Sequence, residues 1–211
     1  MMRNLILLVV TLIGLNISAQ TWIKFSKEEK KLIQTNPQEM MWVYNRMNAS
    51  DSVVLKSISK PVHPTDELTK LLAERMLLSV QHEGGVGIAA PQVGINRRMV
   101  WVQRFDKEKM PFELFINPEI LWASELMQKG AEGDLSFDER GWVLRNYAIQ
   151  IQYQNLEGET ISEMLEGFTA VIFQHERDHL DGILLTDRIE EQSSLNLEPA
   201  SEKSNLFFIR N

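Results

Sequence analysis

The most constraining feature of the chain is a pair of histidines four residues apart, His175 and His179, with Glu176 directly after the first. On an α-helix, positions i and i+4 differ by only about 40° around the axis and by about one turn in height. Both imidazoles can therefore bind one metal ion while the glutamate lies beside it. This His-Glu-x-x-His spacing is the signature of zinc hydrolases, in which the carboxylate acts as a base. The pattern predicts a helix that carries a hydrolytic metal site.

The composition limits the other classes of function. The chain has 211 residues, of which 44% are hydrophobic and 24% are charged, which is enough to bury the core of one domain. The formal net charge of -7 disfavours binding to a nucleic-acid backbone. The chain contains no cysteine, which excludes disulfides, thiolate zinc ligands and thiol nucleophiles. We therefore expect a single domain without a nucleic-acid partner. The sequence does not give the oligomeric state, for which we take a monomer as the expectation.

The first residues have the pattern of a secretory signal peptide. Arg3 lies in a short positive region, residues 5–15 are apolar apart from Thr11, and residues 17–19 resemble a small-residue cleavage site. The apolar stretch is too short to span a bilayer, so we expect no stable membrane insertion. Residues 1–19 are thus predicted to be a signal peptide of a periplasmic or secreted protein. The alternative is a buried amino-terminal helix in a cytoplasmic protein.

Helix signals lie on both sides of a β-rich middle. A capping box at residues 26–29 predicts a short helix that ends before Pro37. Thr65 is the expected cap of a longer helix, which the glycine pair at residues 84–85 should end. Another major helix, with the histidine pair on its apolar face, is expected to begin near Met164.

Between these helices, short β-rich runs are separated by Asn, Pro and Gly. They predict strands at residues 98–103, 114–116, 142–144, 148–153 and 159–162. Residues 190–204 are polar and are expected to form a mobile tail, whereas the apolar residues 206–209 have the character of a segment that docks on the body.

The two histidines do not complete a metal site, because catalytic zinc and iron sites usually take three protein ligands. Asp178 lies inside the motif, but its side chain should point too far around the helix to share the ion. His63 and His82 have suitable chemistry, although both are more simply interpreted as surface residues. The residues alone leave the third ligand open.

The chain resembles the peptide deformylase family in three ordered motifs. These are GVGIAAPQ at residues 85–92, EGDLS at 132–136 and QHERDHLDG at 174–182, with supporting fragments at 116–120, at Arg145 and at 185–189. The likeness covers residues 57–189, which we take as the catalytic domain. Residues 20–56 then form an amino-terminal extension and residues 190–211 a carboxy-terminal tail. The resemblance implies an α+β fold in which antiparallel sheets surround a central helix with the histidine pair.

The resemblance also implies an activity and its catalytic groups. Deformylases hydrolyse the formamide of formyl-methionyl peptides, a linear amide whose C–N bond is not a peptide bond, and release formate with a metal-activated water. By the motifs, His175 and His179 would bind the metal, and Glu176 would be the base and proton shuttle. Gln92 and the backbone N–H of Leu135 would hold the oxygen of the tetrahedral intermediate.

Further residues are assigned to substrate binding by the same resemblance. Gly87 and its neighbour Val86 would offer an extended edge along which the N-formylated peptide pairs. Arg145 matches an arginine near the family's substrate cleft, with a structural ion pair as the alternative. The predicted partner is therefore an N-formylated peptide.

The chain departs from the family at the metal. The family's third ligand is a cysteine thiolate, and Asp134 stands at this position. Both groups carry one negative charge, but a carboxylate is the harder ligand. Two histidines and one carboxylate suit Zn²⁺ in peptidases and Fe²⁺ in non-haem enzymes. We expect one divalent ion, Fe²⁺ or Zn²⁺, bound by Asp134, His175 and His179.

Three functional hypotheses remain at this point. The first is a metal-dependent hydrolase of the deformylase type. The second is a catalytically weak or inactive relative, with Asp134 marking a degenerate site, that captures peptides by strand addition. The third is a non-haem iron oxygenase, suggested only by the ligand set and disfavoured by the presence of Glu176.

Overall fold

The computed structural model describes residues 22–202 and 204–210, so the predicted signal peptide at residues 1–19 lies outside the described residues. The described helices are α1 (Lys27–Gln34), α2 (Ala49–Leu55), α3 (Glu67–Glu83), α4 (Gly167–Leu180) and α5 (Leu185–Gln192). The described strands are β1 (Gly87–Ala89), β2 (Met99–Gln103), β3 (Phe112–Ala123), β4 (Met127–Asp134), β5 (Phe137–Asn146), β6 (Ala148–Gln154), β7 (Thr160–Glu166), β8 (Asn196–Pro199) and β9 (Leu206–Arg210). A short 3₁₀ helix, Ala90–Val93, follows β1.

The strands form two antiparallel sheets. One has the order β1-β2-β3-β6-β7 and the other the order β5-β4-β9-β8. Since β1 is the first strand of the larger sheet, one of its sides is left without a neighbouring strand among the described residues. This edge borders the functional site described below.

The larger sheet lies between α3 and α4, because successive side chains of its strands point to opposite faces. Met99 faces the α3 side and packs in one core cluster with Leu72 and Met76. Val100, the next residue, belongs to the cluster that contains Phe173 of α4. The period of two in a β-strand thus gives the sheet two apolar faces, each covered by a helix. The predicted α+β fold, with antiparallel sheets around a central helix, is confirmed.

Two predicted helix starts were wrong. Met164 lies in β7, which pairs with β6 through Glu166, so α4 begins only at Gly167. Pairing with a neighbouring strand overrides the helical pattern in this stretch. The cap of α3 is Asp66, not Thr65, because the Asp66 side chain accepts a hydrogen bond from the N–H of Leu68. The capping box at Ser26 and the end of α3 at Gly84 are confirmed.

The carboxy-terminal residues are more ordered than predicted. Residues 190–204 contain the end of α5 and strand β8, which pairs with β9 in a hairpin. Phe207 of β9 pairs with Met127 of β4, so the hairpin extends the smaller sheet. Part of the expected tail therefore forms regular structure, and docking of residues 206–209 is confirmed. None of the described helices combines the length and apolarity needed to cross a membrane.

Candidate active site

Helix α4 carries the histidine pair in the interior of the protein. The rings of His175 and His179 lie one helical turn apart, with centroids separated by 5.1 Å and planes inclined by 72°. Glu176 is also buried, at 4% exposure. The i, i+4 spacing therefore brings the two imidazoles together as predicted, and the helix holds them away from bulk water.

Asp134, at the end of β4, brings a carboxylate to the same point. Its Oδ2 atom lies 3.4 Å from Nε2 of His179 and 3.9 Å from Nε2 of His175. Ligand atoms from the three residues all lie within 4.8 Å of one another. Two donors bound at about 2.1 Å to one tetrahedral ion are themselves about 3.4 Å apart. The three side chains thus have the spacing of ligands around one ion.

The hydrogen bonding of these groups fits a metal. Oδ2 of Asp134, both ring nitrogens of His179 and Oε2 of Glu176 are buried and have no hydrogen-bond partner among the described protein groups. Buried polar atoms are rarely left without a partner, because the loss of hydration costs about 1–3 kcal/mol each. A divalent cation would satisfy the unpaired ligand atoms, and the donor set is one that Zn²⁺ and Fe²⁺ accept.

Glu132 orients the first histidine. Its Oε2 lies 2.9 Å from Nδ1 of His175, which leaves Nε2 of that ring for a ligand. A carboxylate on the far nitrogen fixes the ring and its tautomer in many metal sites. Sequence reasoning quoted Glu132 as part of a motif but gave it no role. Its position two residues before Asp134 on the same strand was the available signal, since such residues share a face.

Arg145 lies in a buried network of ion pairs, and its predicted contact with substrate stays a prediction. The side chain is buried, at 5% exposure, and does not line the cavity beside the histidines. Its guanidinium donates to both carboxylate oxygens of Glu132, at 3.0 and 2.9 Å, and to Asp178. The alternative interpretation, a structural ion pair, is the observed one. Arg145 therefore supports Glu132, which in turn holds His175.

Burial and neighbouring charges give the titratable groups of the site very different pKa values. Burial raises the pKa of Glu176 to about 8, with the nearby carboxylates of Asp134 and Glu132 acting in the same direction. Burial alone would lower the pKa of His175, but the hydrogen bond to Glu132 and the surrounding carboxylates raise it to about 9. Burial lowers the pKa of His179 to about 4. A carboxyl group whose pKa lies near neutrality is suited to proton transfer.

A cavity of about 440 Å³ opens beside these groups. Its walls include Val86 and Gly87 at the edge strand β1, together with Leu135 in the turn after β4. Gln92 also lines it, and the Gln92 amide Nε2 lies 3.1 Å from Oδ1 of Asp134. The predicted catalytic and substrate-binding residues, apart from Arg145, are thus brought to one cavity. The wall from α4 is formed by Phe168, Val171 and Ile172. The sequence predicted that Phe168 and Ile172 share the apolar face of this helix with the histidines, but it did not predict that this face lines a cavity.

The other candidate ligands lie elsewhere. His82 is exposed on α3, and Nδ1 of the exposed His63 lies 3.2 Å from the hydroxyl of Thr65. Asp178 points away from the histidine pair and accepts hydrogen bonds from Arg188. Their interpretation as residues outside the metal site agrees with these positions.

Comparisons with known proteins agree with this geometry. The family model described as polypeptide deformylase matches residues 43–194. The chain is 42% identical over 153 residues to the peptide deformylase of Thermotoga neapolitana, a match that covers 72% of this chain and 91% of that protein.

Solved structures give the same result at the level of the fold. The actinonin-bound class I type b peptide deformylase of Acinetobacter baumannii has a TM-score of 0.65 at 38% identity, covering 71% of this chain and 98% of that one. The Met-Ala-Ser-bound structure of the same enzyme has a TM-score of 0.65 at 37% identity, covering 71% and 99%. The match extends over the strands and the helix that build the site, and the chain therefore belongs to the peptide deformylase family.

Proposed function

We propose that the cavity beside α4 is where this member of the peptide deformylase family removes the formyl group from formyl-methionyl peptides. The observation that carries the proposal is the convergence of Asp134, His175 and His179 within 4.8 Å beside the buried Glu176. The bond broken would be the formamide C–N bond at the peptide amino terminus, a linear amide, with formate as the released product.

The protein groups divide the chemistry between them. Glu176, as the carboxylate, takes a proton from the attacking water and returns it to the leaving amine, which must be protonated to depart. The Gln92 amide and the N–H of Leu135 are proposed to stabilise the negative oxygen that forms on the formyl carbon. A preorganised donor of this kind contributes about 3–4 kcal/mol to the transition state.

Asp134, His175 and His179 are the proposed ligands of one divalent ion. When bound, such an ion supplies Lewis-acid chemistry, which polarises the formyl carbonyl and makes water nucleophilic at neutral pH. The pairing of two imidazoles with one carboxylate supports Fe²⁺ or Zn²⁺ as its identity.

The edge of β1 is the proposed site for the peptide backbone. Val86 and Gly87 border the cavity on the side of β1 that has no neighbouring strand among the described residues. An extended peptide gains main-chain hydrogen bonds by adding to such an edge. The related Acinetobacter baumannii enzyme has been solved with Met-Ala-Ser bound, which supports a short peptide as the ligand here.

A formate assay separates turnover from mere peptide binding. The purified chain, loaded with Fe²⁺ or Zn²⁺, should release formate from formyl-Met-Ala-Ser, and Glu176→Ala should lower kcat by about 10²–10⁴-fold. Metal content and peptide affinity, measured on the same samples, should persist in the variant. Peptide binding without formate release by the natural chain would instead support the inactive binding protein.

We also propose that the chain is exported, with residues 1–19 removed as a signal peptide. The basic start, short apolar stretch and small residues at 17–19 support this. The mass of the protein recovered from cells tests it, since cleavage would give an amino terminus near Gln20. An intact amino terminus and a cytoplasmic location would contradict the proposal.

A further inference from the structure

The two oxygens of Asp134 are in different situations. Oδ1 accepts a hydrogen bond of 2.8 Å from the N–H of Ser136 and one of 3.1 Å from Nε2 of Gln92. Oδ2 is buried without a hydrogen-bond partner among the described groups and faces the ring of His179. One oxygen is thus occupied by protein donors, and the other is left for the ion.

Gln92 is itself held in one orientation. Its side-chain Oε1 accepts a hydrogen bond of 2.8 Å from the N–H of Ala89, and its backbone carbonyl accepts one of 2.7 Å from Tyr44. The residue is 1% exposed. Because the Ala89 N–H can only pair with an acceptor, the amide oxygen is assigned to that side and the NH₂ group must face Asp134. The donor to Oδ1 is therefore fixed by the backbone of β1.

A carboxylate needs such a restraint and a thiolate does not. A thiolate offers one sulfur atom, whereas a carboxylate can bind an ion through either oxygen or through both. Binding through both would use a position that a catalytic site keeps open for water or substrate. Two donors on Oδ1 oppose this, because the ion would have to displace them.

We propose that Gln92 is a positioning residue for the metal ligand Asp134, in addition to its role toward the substrate oxygen. Through its hydrogen bond to Oδ1, Gln92 makes Asp134 bind through Oδ2 alone, and this adapts the site to a carboxylate at the position of the family's cysteine. This inference deepens the proposed function and rests on the ligand set given there.

The test is a double-substitution cycle read out by metal affinity. Gln92→Met removes the amide at similar length, and Gln92→Glu keeps an acceptor for Ala89 but replaces the NH₂ donor with an oxygen. Both Gln92 substitutions are made in the natural chain and in a chain that carries Asp134→Cys. The matched control is Gln150→Met, at an exposed position of β6. Dissociation constants for Zn²⁺ and Co²⁺ are measured by chelator competition on the metal-free full chain.

Loss of a residue that orients a ligand typically weakens metal binding by about 10–100-fold, and we expect this for both Gln92 variants. The visible absorption of bound Co²⁺ should weaken as well, since it falls when the coordination number rises. In the Asp134→Cys background the same changes should have a clearly smaller effect, and Gln150→Met should have none. Circular dichroism identifies any variant that fails to fold, in which case the other Gln92 variant supplies the comparison.

The possible results distinguish the positioning role of Gln92 from the proposed ligand set and from the proposed hydrolysis. Equal losses of affinity in both backgrounds, or no loss in either, would overturn the positioning role of Gln92. Failure of the natural chain to bind either ion would overturn the ligand set and this inference together. Absence of formate release from a chain that shows the expected cycle would leave the positioning role supported and would count against the proposed hydrolysis alone.

Discussion

Gly87 lies directly against the carboxylate that is proposed to carry the proton. A Cβ atom added at this position would lie 2.4 Å from Oε1 of Glu176 and 2.8 Å from Cγ2 of Ile172. Gly87→Ala must therefore displace the buried carboxylate from its present position. Because a misplacement of about 1 Å in a catalytic group can cost about 10²-fold in rate, we expect a loss of this size in formate release.

Gly130→Ala is the matched control for this substitution. Gly130 lies in β4, and a Cβ atom there would meet nothing within 4 Å. It should keep its activity, and both variants should keep their metal. Full activity of Gly87→Ala would mean that the position of Glu176 described here is not the one used in catalysis.

The predictability of the site from sequence differs between its residues. His175, His179 and Glu176 follow from spacing along one helix, which is local information. Asp134 lies on a separate strand, and only the resemblance to the deformylase motif identified it. The ion-pair partners of Arg145 were not predictable, because Glu132 and Asp178 come from different elements. Which charges meet in a buried site depends on tertiary packing, which no local pattern contains.

A second group of charges connects the hairpin between β2 and β3 with α4. Arg104, at 1% exposure, donates to Asp106 at 2.9 and 2.7 Å and to Glu163 of β7 at 3.1 and 3.0 Å. Asp106 also accepts a hydrogen bond of 2.8 Å from Thr169 in the first turn of α4. This junction fixes the start of the helix that carries the metal ligands.

The stability of this junction should depend on pH in a defined direction. Hydrogen bonds from Arg104 lower the pKa of Asp106 from its usual value of 3.8 to about 2, against the effect of burial. Since the folded pKa is the lower one, the ionised carboxylate stabilises the fold above about pH 4, and this contribution is lost as the pH falls toward 2. With allowance for partial solvent exposure, Asp106→Asn should lower the free energy of unfolding at pH 7 by about 1 kcal/mol.

Urea unfolding of the natural chain and of Asp106→Asn at pH 7 and near pH 2.5 measures this effect. The difference between the two proteins should be present at pH 7 and should shrink at the lower pH. Glu119→Gln, at an exposed position of β3, is the control and should show no such difference. A constant difference at both pH values would contradict an electrostatic origin.

Among the secondary structure elements, sequence was most informative where the signal is local. The capping box at Ser26 and the left-handed Gly84, with φ of 66°, mark helix ends correctly. The start of α4 was missed because β7 stays paired with β6 up to Glu166. The β8–β9 hairpin was missed because it is held in the smaller sheet by pairing with the distant strand β4. The sequence predicted only short strands within the two sheets, whereas the observed β3 and β5 are 12 and 10 residues long. The arrangement of antiparallel sheets around a central helix was implied only by the family resemblance.

The segment that precedes the family match is built into the core of the protein. Arg97 donates to the carbonyl groups of Ile23 and Lys24, at 2.6 and 2.7 Å, and pairs with Glu29 at 2.8 Å. Arg75 is held in the same way by carbonyl groups of residues 32, 33, 39 and 40. Both arginines are nearly inaccessible. The predicted amino-terminal extension therefore contributes structure as far back as residue 23.

Removal of this segment should destabilise the whole fold. A chain that begins at residue 42 loses the buried side chains of Phe25, Ile33 and Met41, each contributing about 1.5–3 kcal/mol by burial. The loss should total about 5 kcal/mol or more, a large part of the stability of a typical domain.

A chain that begins at residue 20, the proposed mature start, keeps all of these contacts and is the control. Urea unfolding of the two chains at pH 7 makes the comparison, and equal midpoints would show that the extension is dispensable for folding. We expect instead that the shorter chain unfolds at much lower urea, because Arg75 of α3 and Arg97 of the loop before β2 both lose the backbone carbonyl groups to which they donate.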